Sequence, residues 1–198
     1  MDDLHVHQTP PLIRAVTPAR WDDVLELFGE NGAYSNCWCT WWLLTGNAWD
    51  AASKSERRDL LHAKVAEGHE PGLLAYVDDV PVGWCALGPR DWYARLNSPR
   101  ARVYKRIDDL YTWVVNCFFI RKDRRGAGIA TALLDAAIDH ARNHGAAMLE
   151  GYPIDRDARP GGAADLFVGT LSMFIDAGFE EMARVGDRPL VRLALGAI

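Results

Sequence analysis

The sequence predicts an α/β (α+β) fold in a single domain: a mixed, mostly antiparallel central sheet flanked by helices, with one parallel β-α-β crossover at a glycine turn. Three observations predict it. WVVNCFFI (113–120), a helical apolar stripe over 129–144 and AAMLEGY (146–152) make a strand, helix, strand unit, whose connection must be a right-handed parallel crossover. LLAYVDDVPVGWCAL (73–87) holds two β runs that turn at Asp78 and Asp79, the pattern of an antiparallel hairpin. Residues 179–185 and 189–195 form a second hairpin around Gly186 and Asp187, with no repeat or linker anywhere along 1–198.

The elements follow in order. Residues 1–10 read as a disordered lead-in, and LIRAV (12–16) as a short strand. Thr17 and Pro18 supply an N-cap and a first helical residue, Trp21, Val24, Leu25 and Phe28 share one helical face, and Gly29 and Gly32 close the helix. Ser53 and Glu56 have capping-box spacing at the start of a second helix, with Leu60, Leu61 and Val65 as its buried stripe. The Arg-rich segment Gly88–Asp109, with Trp92, Tyr93 and Arg102, is too long for a plain connection and reads as a functional loop. Ile129, Leu133, Leu134, Ala137, Ile138 and Ala141 form the stripe of the crossover helix, which Gly145 ends. Phe167, Leu171, Phe174 and Ile175 mark a last helix stopped by Gly178.

Composition narrows the function. At 49% hydrophobic and 25% charged residues, with no apolar run of bilayer length, the chain reads as soluble. A formal net charge of -5 argues against nucleic-acid and anionic-membrane partners. The first residues are acidic and lack an apolar core segment, so export is not expected, and Cys37, Cys39, Cys85 and Cys117 are too few and uneven for a disulfide framework. Reduced thiols in the cytoplasm are the expectation.

Against that acidic background, Arg121, Lys122, Arg124 and Arg125 lead straight into Gly126 and Gly128 at a helix start. Bare amides and a positive dipole end make such a turn an anion site. A P-loop fails for want of a lysine after the glycines. A dinucleotide turn is nearly spelled by Gly126, Gly128 and Thr131 with Glu150 downstream, but five charged residues separate its glycines from the strand and only one β-α-β unit is present.

Arg125-Gly126-Ala127-Gly128-Ile129-Ala130 matches the (Gln/Arg)-x-x-Gly-x-(Gly/Ala) signature, and with AGF (177–179) after the last helix the chain resembles the GNAT superfamily of N-acetyltransferases along nearly its whole length. The resemblance implies acetyl-CoA or another acyl-CoA as co-substrate, its pyrophosphate on the amides of Gly126, Ala127, Gly128, Ile129, Ala130 and Thr131. It places the pantetheine arm along Phe118, Phe119 and Ile120, and implies a small-molecule or peptide amine as acceptor. A homodimer stays open.

Acyl transfer to an amine needs a base, an oxyanion donor and, for the departing thiolate, an acid. Here the sequence departs from the family pattern: Phe174 stands where many members carry an acidic tyrosine, and Val114 where some carry a glutamate base. Glu150, a carboxylate inside an apolar strand, is the candidate base, against a structural ion pair as the alternative; Tyr152 and Ser172 are candidate acids. Asn116 is a candidate for orienting the acceptor, as are Trp38, Trp41 and Trp42 in NCWCTWW, which equally suit a core. One Cys-x-Cys is poor zinc evidence, and no metal is expected. Two other readings stand: a non-catalytic acyl-CoA-binding module, and a nicotinamide-dependent enzyme.

Overall fold

The computed structural model describes residues 10–99, 105–158 and 163–196. The lead-in before residue 10 and Arg102 lie outside the described residues. Strands β1 (Leu12–Ala15), β2 (Gly72–Val77), β3 (Val80–Pro89), β4 (Thr112–Ile120), β5 (Met148–Gly151), β6 (Glu180–Val185) and β7 (Arg188–Ala194) form one sheet in the order β1-β2-β3-β4-β5-β7-β6. Only β4 and β5 pair in parallel among these strands. The helices are α1 (Trp21–Phe28), α2 (Gly46–Ala51), α3 (Lys54–Ala66), α4 (Ile129–Asn143) and α5 (Leu171–Asp176).

Local chemistry explains the boundaries. Ser53 accepts from the Glu56 amide and the Glu56 carboxylate accepts from the Ser53 amide, so the capping box starts α3. Asp78 and Asp79 both adopt positive φ, 52° and 60°, as the two central residues of a tight hairpin turn require. The first helix begins later than Pro18: a single 3-10 turn over Pro18–Arg20 precedes α1. That rotation puts Leu27 inside and leaves Leu25 36% exposed, reversing the expected register at that position. In α3, Leu61 and Val65 are buried as expected while Leu60 is only half-buried.

Two apolar layers cover the sheet. One packs Leu133, Leu134, Ala137 and Ala141 of α4 and Phe174 of α5 against Leu73, Cys85, Val115 and Phe118. The other packs Val24, Leu27 and Phe28 of α1 and Leu61 and Val65 of α3 against Leu74, Trp84 and Cys117. The segment after β3 is anchored rather than loose over its described part: Arg90, Tyr93 and Leu96 are buried, and Trp92 lies over Gly88, where a Cβ would come within 2.5 Å of its ring.

Candidate active site

The parallel pair ends early. β5 pairs with β4 only from Thr112↔Met148 to Val115↔Gly151, while β4 runs on to Ile120. From residue 116 onward this edge of β4 has no strand partner among the described residues, so its outward-facing amides and carbonyls open onto a gap. The register against β3 breaks at the same place: Ala86 pairs with Cys117 and Leu87 with Val115, leaving Asn116 as the extra residue of a bulge. A bulge re-aims the strand, which is how β4 leaves its parallel neighbour.

At the end of β4 the chain turns into α4 through Gly126 and Gly128, with φ of 81° and 74°. A Cβ at either would meet nothing within 4 Å, so glycine is needed for the left-handed backbone and keeps the floor of the gap open. No side chain caps α4 and its first turn holds no acid. The amide donors of Ile129, Ala130 and Thr131 are therefore free of intrahelical partners, and the dipole end is uncompensated. Arg124 and Arg125 stand beside it. Arg121 is turned instead to Asp123, at 2.7 and 2.8 Å, so only part of the basic cluster addresses the cleft.

These pieces enclose a cleft of about 460 Å³, within the range of small-molecule sites. Phe118, Phe119 and Ile120 line one wall, and Arg125, Gly126, Gly128, Ile129, Ala130 and Thr131 line the floor. Ala127 is in the turn but does not line the cleft. Two contributions were not legible in the sequence. Gly169, Thr170 and Met173 close the far wall, and Tyr34, 61% exposed, reaches the rim. Tyr34 arrives there because Ala33, Ser35, Asn36, Trp38 and Cys39 all take positive φ, a contorted path that no periodicity announces.

The candidate catalytic and acceptor side chains are dispersed. Glu150 is 1% exposed and clamped between two guanidiniums, 2.5 Å from Arg90 and 3.2 Å from Arg192. The Tyr152 hydroxyl donates to it at 2.7 Å, and burial, then the Glu150 charge, pushes that phenol well above its ordinary range. Arg192 continues the network to Asp108 at 2.6 Å. The geometry is that of a buried ion-pair cluster, and neither Glu150 nor Tyr152 lines the cleft. Ser172 is exposed on α5, 3.2 Å from the hydroxyl of the cleft-lining Thr170, but does not itself line the cleft.

Among the tryptophans, Trp38 is 3% exposed and packs with Trp21 and Phe28, its ring pressed on the Cα of Gly32. Trp42 stacks on Tyr152 at 5.7 Å, and Trp41 packs on Trp49 and under the Arg95 guanidinium. The core reading fits all three. Cys39 faces Cys117 at 3.1 Å; hydrogen bonding to Cys117 and burial raise its thiol, and burial pushes Cys37 up to about 11. Asn116 is fully buried at the bulge, where its side-chain amide faces the buried Tyr93 hydroxyl.

Comparison with known proteins adds to this geometry. The sequence profile of the acetyltransferase (GNAT) family matches residues 35–159, more than half of the chain. Among solved structures, an N-acetyltransferase from Staphylococcus aureus Mu50 superposes with a TM-score of 0.56 at 16% identity, covering 95% of this chain and 100% of that one. YncA of Salmonella typhimurium, a structure holding acetyl-CoA, gives 0.56 at 17% identity over 95% of both chains. The PaiA N-acetyltransferase of Thermoplasma acidophilum, in complex with coenzyme A, gives 0.52 at 13% identity over 94% of this chain and 99% of that one. No curated protein sequence matches.

Proposed function

The chain belongs to the acetyltransferase (GNAT) family, and we propose on that premise that it moves an acetyl group from acetyl-CoA to an amine of a small molecule or peptide. The observation that carries the proposal is the gap between β4 and β5 leading down to uncapped amides at Ile129–Thr131. A diphosphate on those amides, flanked by Arg124 and Arg125, aims the rest of the cofactor up the free edge of β4. There the backbone amides of residues 116–120 stand where a thioester carbonyl would pass. The amine nitrogen attacks that carbonyl, an amide N–H steadies the oxyanion, the C–S bond breaks, and the amine's proton is lost to water as coenzyme A departs. A backbone donor of this kind contributes about 3 kcal/mol to the transition state.

No step is routed through Glu150 or Tyr152, which are held in the buried ion-pair cluster away from the cleft. Asn116 is the side chain to test for acceptor orientation. Its amide lies beside the buried Tyr93 hydroxyl, so Asn116→Leu leaves that hydroxyl without its polar neighbour and should cost about 1–3 kcal/mol of stability. The expected outcome is a raised acceptor KM with an unchanged KM for acetyl-CoA. Four free cysteines fit a reducing compartment, and no helix of the described residues is long and apolar enough to cross a membrane.

Phe174 and Val114, in place of an acidic and a basic side chain, favour a second reading: an acyl-CoA-binding module without turnover. An amine panel with acetyl-CoA, read by mass spectrometry, separates the two. An acceptor that gains one acetyl group supports transfer; tight acetyl-CoA binding with no product from any amine supports the module.

A further inference from the structure

The end of α4 remote from the cleft carries a side-chain cluster that acetyl transfer does not use. His140 and His144 are four residues apart, one helical turn, and so lie on the same face. Glu70, in the connection between α3 and β2, meets them: its Oε2 is 3.4 Å from His140 Nε2 and 3.6 Å from His144 Nε2. All three ligand atoms lie within 4.8 Å of one another. Trp113 packs against both imidazoles, at 5.7 and 5.0 Å between ring centres.

Three features separate this cluster from an ordinary ion pair. The Nε2 of His140 is buried and makes no well-aligned hydrogen bond, though Glu70 lies 3.4 Å away, so it is placed to take a ligand. The Nδ1 of His144 is 2.8 Å from the His140 carbonyl oxygen. A carbonyl only accepts, so Nδ1 donates there and Nε2 is the ring atom left to face a ligand, the orientation a metal requires. Finally, the carboxylate oxygen is at ligand spacing from both nitrogens. A tetrahedral ion with bonds of about 2.0–2.1 Å sets its ligand atoms roughly 3.3 Å apart, against 3.4 and 3.6 Å between the carboxylate oxygen and the two ring nitrogens.

We propose that Glu70, His140 and His144 bind one divalent transition-metal ion of the zinc class, through one carboxylate oxygen and two Nε2 atoms, with water in the fourth position. Two imidazoles favour such an ion over calcium or magnesium, which take oxygen ligands. The C-terminal end of a helix favours a cation as well. Along α4 this site lies about 16–22 Å from the amides at the other end, His140 being 11 and His144 15 residues beyond Ile129. The ion therefore fastens the α3–β2 connection to α4 and takes no part in transfer, which revises the expectation that the chain holds no metal.

The test uses chelator-treated full-length protein titrated with zinc alone by calorimetry, and with cobalt followed by its visible spectrum. Saturable binding of one ion per chain, a tetrahedral cobalt spectrum and a zinc-dependent rise in melting temperature are expected. His144 is exposed and Glu70 only half-buried, so His144→Ala and Glu70→Gln should fold normally yet bind zinc at least tenfold more weakly. Absence of saturable binding would overturn the proposal. So would zinc affinity and a melting shift unchanged in both variants, which would put the ion elsewhere, for example on the cysteines. No acetyl transfer enters the readout, so this failure is distinct from failure of the transferase reading.

Discussion

Glu150 and Phe174 stand at the positions expected of a base and an acid, and burial governs both. Glu150 balances Arg90 and Arg192 in a region where its carboxylate is 1% exposed and Arg90 is 2% exposed. Glu150→Gln would leave those guanidiniums short of a counter-charge, and breaking such a buried pair from one side costs about 3–5 kcal/mol. Urea unfolding should register that loss; a variant as stable as the parent with abolished turnover would instead restore Glu150 as a base. Phe174 is fully buried between Gly151 and Gly169, its Cε1 2.3 Å from where a Gly151 Cβ would sit, and edge-on to Phe118 and Phe179. Phe174→Tyr, which would give the chain the tyrosine that many relatives carry, adds a hydroxyl to a dry, close-packed slot. The expected result is a stability loss of about 1–3 kcal/mol without a gain in rate. A faster enzyme would show that the slot opens to the thiolate.

At the scale of elements, the turn from β4 into α4 is where sequence and structure agree most closely, because a glycine with positive φ is a local requirement. Gly128→Val places a β-branched residue at φ 74°, which costs about 1–2 kcal/mol, and points its methyl groups into open cleft. Losing one charge-assisted amide contact to a phosphate costs about 1.5–3 kcal/mol. Coenzyme A affinity should thus fall roughly 10- to 100-fold, by calorimetry, while the fold persists; retained affinity would move the phosphates elsewhere. The same logic explains what could be read in advance. Capping boxes, the Asp78–Asp79 turn and the stripe of α4 are set by neighbours within a few residues. The bulge at Asn116 depends on how β3 and β5 meet β4, α2 has too little apolar pattern to be seen, and Tyr34 depends on five strained residues around it. Glu70 reaches His140 across 70 positions, beyond any spacing rule.

For the whole molecule, the cleft is a place where distant segments converge. Tyr34 comes from the connection after α1, Phe118–Ile120 from β4, Gly126–Thr131 from the turn, and Gly169–Met173 from the approach to α5. One sheet spans the described residues from β1 to β6, which supports reading the chain as a single cooperative unit. A ligand that needs all four segments binds only the folded state, so occupancy must appear as global stability. Acetyl-CoA at 100 times its Kd adds about 2.7 kcal/mol, which for a chain of this length raises Tm by about 5–10 °C. NAD and NADP at the same concentration should add nothing, because the cleft follows the free edge of β4 rather than a second β-α-β unit. Amide exchange should slow together at Phe118–Ile120 and Ile129–Thr131 and hardly at all around His144, at the opposite end of α4. Stabilisation by a nicotinamide cofactor without stabilisation by acetyl-CoA would assign the uncapped amides to the other diphosphate.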